Sequence, residues 1–152
     1  MEIVIPIRPM IASDVDAVLA IQAESPGAAQ WNRAAYDEIS AGSGLNRCLI
    51  ADRNQTPVGF ATFRVVAPEA ELLNLAVLPA FRRMGIGARL LEEVIRKAVA
   101  SGASDLFLEA RDSNLSALGL YRRFSFELHH RRPGYYSDPP ADALTLHLRL
   151  PP

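Results

Sequence analysis

At 152 residues, with hydrophobic residues at 49% and charged residues at 22%, the chain has the size and balance of one soluble globular domain able to bury a core. Its net charge of −1 excludes a global field drawing it to nucleic acid or to an anionic membrane, and no apolar run approaches a membrane span. The single cysteine, Cys48, sits in an apolar stretch, which excludes a disulfide framework and a cysteine metal cluster and points to a buried thiol.

The N-terminal "MEIVIPIRPM" has no basic region followed by a long apolar core, so no signal peptide is read there and a cytoplasmic protein is expected. "IVIPIRPM" reads as a first strand. Ser13 is the expected cap of a helix whose Val15, Val18, Leu19 and Ile21 recur at helical spacing. "ESPGAAQWN" breaks the pattern, and "WNRAAYDEIS" predicts a second short helix ending near Gly42 and Gly44. "RCLIA", the turn "DRNQTP" and "VGFATFRVVA" predict a hairpin, and "ELLNLAV" a further strand. A helix is expected from about Ile86 to Ser101, stopped by Gly102. "DLFLEA" is a strand, and "SNLSALGLYRRF" a helix opened by Ser113 or Asn114. "SFELHHRR" and "ALTLHLRL" are two more strands, with "PGYYSDPPAD" as the loop between them. Antiparallel strands, a strand–helix–strand–helix unit and antiparallel strands again make a mixed α/β sheet in a single domain over residues 1–152.

Between the strand "ELLNLAV" and its helix lies "LPAFRRMGIG", with two arginines and two glycines. The apolar stripe Ile86, Leu90, Leu91, Val94, Ile95, Ala98 and Val99 lays the helix on a sheet. Its N-terminus then points outward with unpaired N–H groups, an anion site. Gly85 and Gly87 are expected to let a diphosphate approach the backbone, with Arg82 and Arg83 adding charge. A nucleotide P-loop needs a lysine after the glycines, and none follows; a dinucleotide turn needs a third glycine where Leu90 stands.

Arg82-x-x-Gly85-x-Gly87, with "NLAVLPAF" before it and an amphipathic helix after it, resembles the acyl-CoA signature of the GCN5-related N-acetyltransferases. "SNLSALGLYRRFSFE" is similar to that family's Asn-x-x-Ala…Leu-Tyr-x-x-x-Gly-Phe segment, with Asn114, Ala117, Leu120, Tyr121 and Phe126 matching and Ser125 standing where glycine is usual. The resemblance implies a mostly antiparallel sheet flanked by helices with a V-shaped cofactor cleft, and acetyl-CoA as co-substrate. It implies that the backbone of Leu75, Ala76 and Val77 pairs with the pantetheine arm. It also implies that the amides of Arg83, Met84, Gly85, Ile86, Gly87 and Ala88 hold the pyrophosphate, and that Asn114 bonds the arm from the other side.

Within the family the chain looks most like the ribosomal-protein-alanine N-acetyltransferases. That resemblance implies Glu109 as proton acceptor, Tyr121 as proton donor to the leaving thiolate, and Tyr135 and Tyr136 lining a peptide groove. The loop carrying Trp31 is expected to border the acceptor, although "SPGAAQW" departs from the Pro-Trp pair usual there. Leu106 to Leu108 around Glu109 suggest partial burial, which would raise its pKa. Pairing of Glu109 with Arg111 is the competing structural reading. His129 and His130 are adjacent strand residues that point oppositely, so at most one faces the cleft. No His, Cys and carboxylate set has metal-ligand spacing, so no metal is expected. The activity expected is transfer of acetyl from acetyl-CoA to a protein or peptide N-terminus, a ribosomal protein among the candidates. A small-molecule amine acetyltransferase and a non-catalytic acyl-CoA-binding module are the alternatives.

Overall fold

The computed structural model describes residues 4–152; the part of the expected first strand that falls on Ile3 lies outside them. Seven strands form one sheet in the order β1-β2-β3-β4-β5-β7-β6. They are β1 Ile7–Pro9, β2 Asn46–Arg53, β3 Thr56–Val66, β4 Glu69–Val77, β5 Asp105–Arg111, β6 Glu127–Ser137 and β7 Pro140–Arg149. Only the β4–β5 pair is parallel, across the single helical crossover that joins them. The helices are α1 Val15–Ala23, α2 Arg33–Ser40, α3 Ile86–Ala100 and α4 Leu115–Arg123.

Alternation along the strands divides the core in two. On one face Ile50, Phe60 and Ala76 pack with Val15, Val18 and Ile21 of α1 and Tyr36 of α2. On the other, Ala61, Phe63, Leu106 and Leu108 pack with Leu90, Leu91 and Val94 of α3 and Leu118 and Tyr121 of α4. The expected α3 stripe is the buried one, with Ile95 and Val99 partly covered. Cys48 is buried in the first face, and burial pushes its thiol up to about 12.

Three local expectations change. Ser13 caps nothing: a 3-10 turn, Ala12–Asp14, leads into α1. Asp14 accepts the Ile11 N–H at 2.8 Å and both Arg8 Nη groups, and Arg8 holds its carboxyl below the usual range. α2 and α4 are capped as their residues allow, by the side chains of Asn32 and Asn114. The loop expected over 133–142 is instead strand nearly throughout, with only Asp138 and Pro139 between β6 and β7. A bulge there sets three β6 residues, 133 to 135, against one of β7, since Arg132 pairs Ala143 and Tyr136 pairs Ala141. Asp142 fixes it by accepting from Gly134 N at 2.9 Å and Arg131 at 2.7 Å. Such a bulge re-aims the side chains that follow it.

Ser125 adopts φ +71°, the left-handed backbone that glycine supplies at no steric cost. Ser125→Gly is expected to raise unfolding free energy by about 0.5–1 kcal/mol, the relief of strain less the added chain entropy. Urea denaturation checks it; an unchanged or lower midpoint would contradict strain at this position.

Candidate active site

The site begins at a defect in β4. Thr62 of β3 pairs Asn74, but Phe63 pairs Leu72, leaving Leu73 as an extra residue. The bulge bends β4, and the parallel ladder to β5 ends beside it at Leu72 and Leu108. Beyond that point β4 and β5 splay apart. Leu78 N donates to Val58 O at 2.8 Å, so by alternation Ala76 turns its backbone groups toward β3 while Leu75 and Val77 turn theirs into the gap. Of the three residues expected to pair with a pantetheine arm, Ala76 is therefore committed to the sheet; Leu75 and Val77 carry the open edge. Arg82 folds back onto that edge, its Nε donating to Val77 O at 3.3 Å.

The turn from β4 to α3 contains two left-handed residues, Arg83 at φ +63° and Gly85 at φ +79°. Left-handed residues in close succession curl the chain so that backbone N–H groups converge, a concavity suited to anions. The first intrahelical bond of α3 runs from Arg89 N to Gly85 O at 3.0 Å, so the amides of Ile86, Gly87 and Ala88 precede the ladder. The two glycines differ. Gly85 supplies the left-handed conformation, and a Cβ there would meet nothing within 4 Å. A Cβ on Gly87 would lie 3.4 Å from Leu120 Cδ2 of α4, an ordinary contact, so packing alone does not require glycine there. These amides suit a diphosphate, and Leu75 and Val77, whose gap-facing groups bond side chains in place of a strand (Leu75 N–H to Asn74 Oδ1 at 3.1 Å, Val77 O to Arg82 Nε at 3.3 Å), suit the amide-bearing arm of an acyl-CoA.

A cavity of about 410 Å³ fills the splay. Leu72 to Leu75 of β4, Leu108 to Arg111 of β5, and Asn114, Ala117 and Tyr121 of α4 form its walls, and Pro26 to Gln30 close it from the α1–α2 side. Leu108 and Ala110 are buried under α4, so Glu109 between them projects from the opposite face. Glu109 and Tyr121 thus meet in one cavity from opposite sides of the sheet. Asn114 lines it too, but its Oδ1 is engaged as the α4 cap, accepting Ala117 N at 3.3 Å.

Glu109 is exposed, against the partial burial expected from its apolar neighbours; alternation buries those neighbours and not the carboxylate. It is not paired with Arg111. Tyr136 OH donates to Glu109 Oε1 at 3.0 Å, and the Arg111 guanidinium lies over the Tyr136 ring, 4.1 Å from its centroid. Burial, and then donation to Glu109, push the Tyr136 phenol up to about 12. Tyr121 is 6% exposed and packs edge-on against Phe126 at 5.6 Å; burial alone raises its phenol to about 12. It fills the core and reaches the cavity at once.

The remaining candidates separate. Tyr135 is 53% exposed with Arg132 over its ring, and it is not part of the cavity wall. Trp31 stacks on Tyr36 at 5.7 Å, behind the loop that forms the wall rather than in it. His129 and His130 are both exposed on β6 and stand outside the cavity. Among the described residues no group of three or more His, Cys, Asp or Glu is placed to hold a metal, and no helix is long and apolar enough to cross a membrane. The polar residues under the loop, Gln22, Tyr36 and Asn74, were not singled out from sequence. An asparagine inside the apolar strand "ELLNLAV" was the available signal.

The model of the acetyltransferase (GNAT) family matches residues 15–126. The ribosomal protein bS18-alanine N-acetyltransferase of Salmonella typhimurium is 41% identical over 92 residues, covering 60% of this chain and 61% of that one. The match therefore spans less than two thirds of that relative's length. The crystal structure of the ribosomal-protein-S18-alanine N-acetyltransferase from Escherichia coli aligns with TM-score 0.83 and 29% identity, covering 97% of this chain and 94% of that one. Arabidopsis thaliana NAA60 in complex with acetyl-CoA shares the fold, with TM-score 0.84 at 20% identity over 96% of this chain and 98% of its own. The chain shares its architecture with these proteins, and it belongs to the acetyltransferase (GNAT) family.

Proposed function

We propose that the protein is an acetyl-CoA-dependent N-acetyltransferase whose acceptor is the α-amino group of a protein N-terminus, of the ribosomal-protein-alanine kind. The observation that carries this reading is the convergence of Glu109 and Tyr121 on one cavity, beside the open β4 edge and the α3 N-terminus. The relatives from Salmonella typhimurium and Escherichia coli support the choice of acceptor.

The co-substrate supplies an acetyl group activated as a thioester. Leu75 and Val77 hold its arm along β4, and the amides of Ile86, Gly87 and Ala88 take its diphosphate. Glu109 receives a proton from the acceptor ammonium, directly or through water; the free amine forms its bond to the acetyl carbon as the carbon–sulfur bond breaks, and the nitrogen's remaining excess proton passes through water to the departing thiolate, giving the amide and the CoA thiol. Tyr121 donates a hydrogen bond to the departing sulfur. Tyr136 holds Glu109 Oε1, leaving Oε2 for the amine side.

The acceptor class follows from matching basicities. An α-amino group has a pKa near 7.7–8.0 against about 10.4 for lysine, and an exposed carboxylate is a modest base. A free α-amine is therefore within its reach where a lysine ammonium is a poor match.

Glu109→Gln keeps the acceptor atom for Tyr136 and removes only the base, so the fold is expected to stand while kcat on an alanine-led peptide falls about 30-fold or more. Steady-state kinetics on that peptide, alongside polyamines and amino sugars, checks it. Undiminished turnover in the variant would remove Glu109 from the chemistry, and preferred turnover of the small amines would overturn the acceptor assignment.

A further inference from the structure

The loop Ser25 to Trp31, whose Pro26 to Gln30 form the cavity wall on the acceptor side, is rich in small residues and carries no charge. It is held by side chains that nothing in the transfer chemistry uses. Asn74 treats Ala29 as a neighbouring strand would: Ala29 N donates to Asn74 Oδ1 at 3.2 Å, and Asn74 Nδ2 donates to Ala29 O at 2.9 Å. Gln22 does the same to Trp31, accepting from its N–H at 3.0 Å and donating to its carbonyl at 2.8 Å. Tyr36 joins the two amides, donating to Gln22 Oε1 and accepting from Asn74 Nδ2 at 3.4 Å. All three residues are buried, at 4% exposure for Gln22, 0% for Tyr36 and 6% for Asn74. Burying three polar side chains is costly unless each is bonded; here the two amides bond the loop backbone and Tyr36 bonds the two amides.

Two further contacts close the device. Gly27 lies against α4: a Cβ there would meet Asn114 Nδ2 at 2.7 Å, so the loop reaches across the splay to the opposite wall. Asn74 Oδ1 also accepts the Leu75 N–H at 3.1 Å. One oxygen therefore serves both the loop and a backbone group of the open β4 edge.

We propose that Gln22, Tyr36 and Asn74 are positioning residues that hold the acceptor-side loop and couple it to occupancy of the β4 edge. The proposal rests on the cofactor and acceptor assignment given under Proposed function. When a ligand arm takes the Leu75 N–H, Asn74 Oδ1 is left to Ala29 alone, and the loop tightens. Cofactor binding then completes the acceptor wall. The network sets acceptor affinity without touching the reacting atoms.

Tyr36→Phe tests it. The ring contacts with Trp31 at 5.7 Å and Phe60 at 6.0 Å survive, and only the hydroxyl that joins the amides is lost. The expected result is a KM for an alanine-led peptide raised about tenfold, with kcat and the CoA Kd each within about twofold, the scale of one lost buried hydrogen bond. Amide exchange of residues 27–31, followed by NMR, is expected to speed up about tenfold in the variant. In the wild-type protein CoA is expected to slow that exchange, and in Asn74→Ala that CoA effect is expected to vanish. Unchanged loop exchange in Tyr36→Phe, or a CoA Kd rising in parallel with the peptide KM, would overturn the proposal. The exchange measurements need no acceptor, so failure of the wild-type protein to acetylate any amine would count against the functional reading alone.

Discussion

Tyr121→Phe is expected to lower kcat by about 10²-fold while leaving CoA affinity and thermal stability nearly unchanged. The ring is what the fold uses: Tyr121 is 6% exposed, packed against Phe126 in the core beneath α4, and phenylalanine keeps that volume. The hydroxyl is what the chemistry uses. Burial raises its pKa to about 12, with no hydrogen-bonding neighbour contributing. A phenol raised that far by burial is a weaker acid than the thiol that would be formed, so it does not hand its proton outright to the thiolate. Its service is a preorganised donor aimed at the charge developing on sulfur, the kind of group whose removal costs about 10²–10³ in rate. A pH signature separates this from a packing defect. Because burial raises the pKa, Tyr121 stays protonated as pH rises through 8 to 10, and no alkaline loss of kcat arises from it. Wild type and Tyr121→Phe should therefore give parallel kcat–pH profiles offset by a constant factor. A variant with full kcat, or one whose loss tracks a fall in melting temperature, would remove the donor role.

The parts legible in sequence were those set by local rules. Period-3.6 apolar spacing gave α3 with its buried face. The glycine turn marked its own position because Gly85 is needed at φ +79°. What could not be read depends on pairing across the sheet. The bulge at Leu73, which opens the cleft, exists only in the register between β3 and β4. The exposure of Glu109 was misjudged because flanking leucines were taken to share its environment, whereas alternation puts them on the other face. Tyr135 and Tyr136, expected in a loop, lie in β6 at a bulge that exists only in the β6–β7 register; Tyr136 reaches Glu109 while Tyr135 stays outside the cavity. The Gln22, Tyr36 and Asn74 network joins residues 14 to 52 positions apart in the chain, beyond any local pattern.

If the first turn of α3 holds the diphosphate, as proposed, charge placed there opposes cofactor binding. Gly87 occupies that turn, and a Cβ on it would lie 3.4 Å from Leu120 Cδ2, an ordinary contact, so small side chains fit without displacing α4. An aspartate near a helix N-terminus stabilises the helix by about 0.3–1 kcal/mol, so the variant should remain folded. The same carboxylate competes for the free amides and repels a diphosphate; about 2–3 kcal/mol of repulsion corresponds to roughly 10²-fold in affinity. The decisive measurement is calorimetric titration of CoA into wild type, Gly87→Ala and Gly87→Asp, with folding of each confirmed by thermal denaturation. The anion-cradle account predicts a Kd within about fivefold of wild type for alanine and about 10²-fold weaker for aspartate. A folded Gly87→Asp protein that binds CoA as tightly as wild type would contradict it.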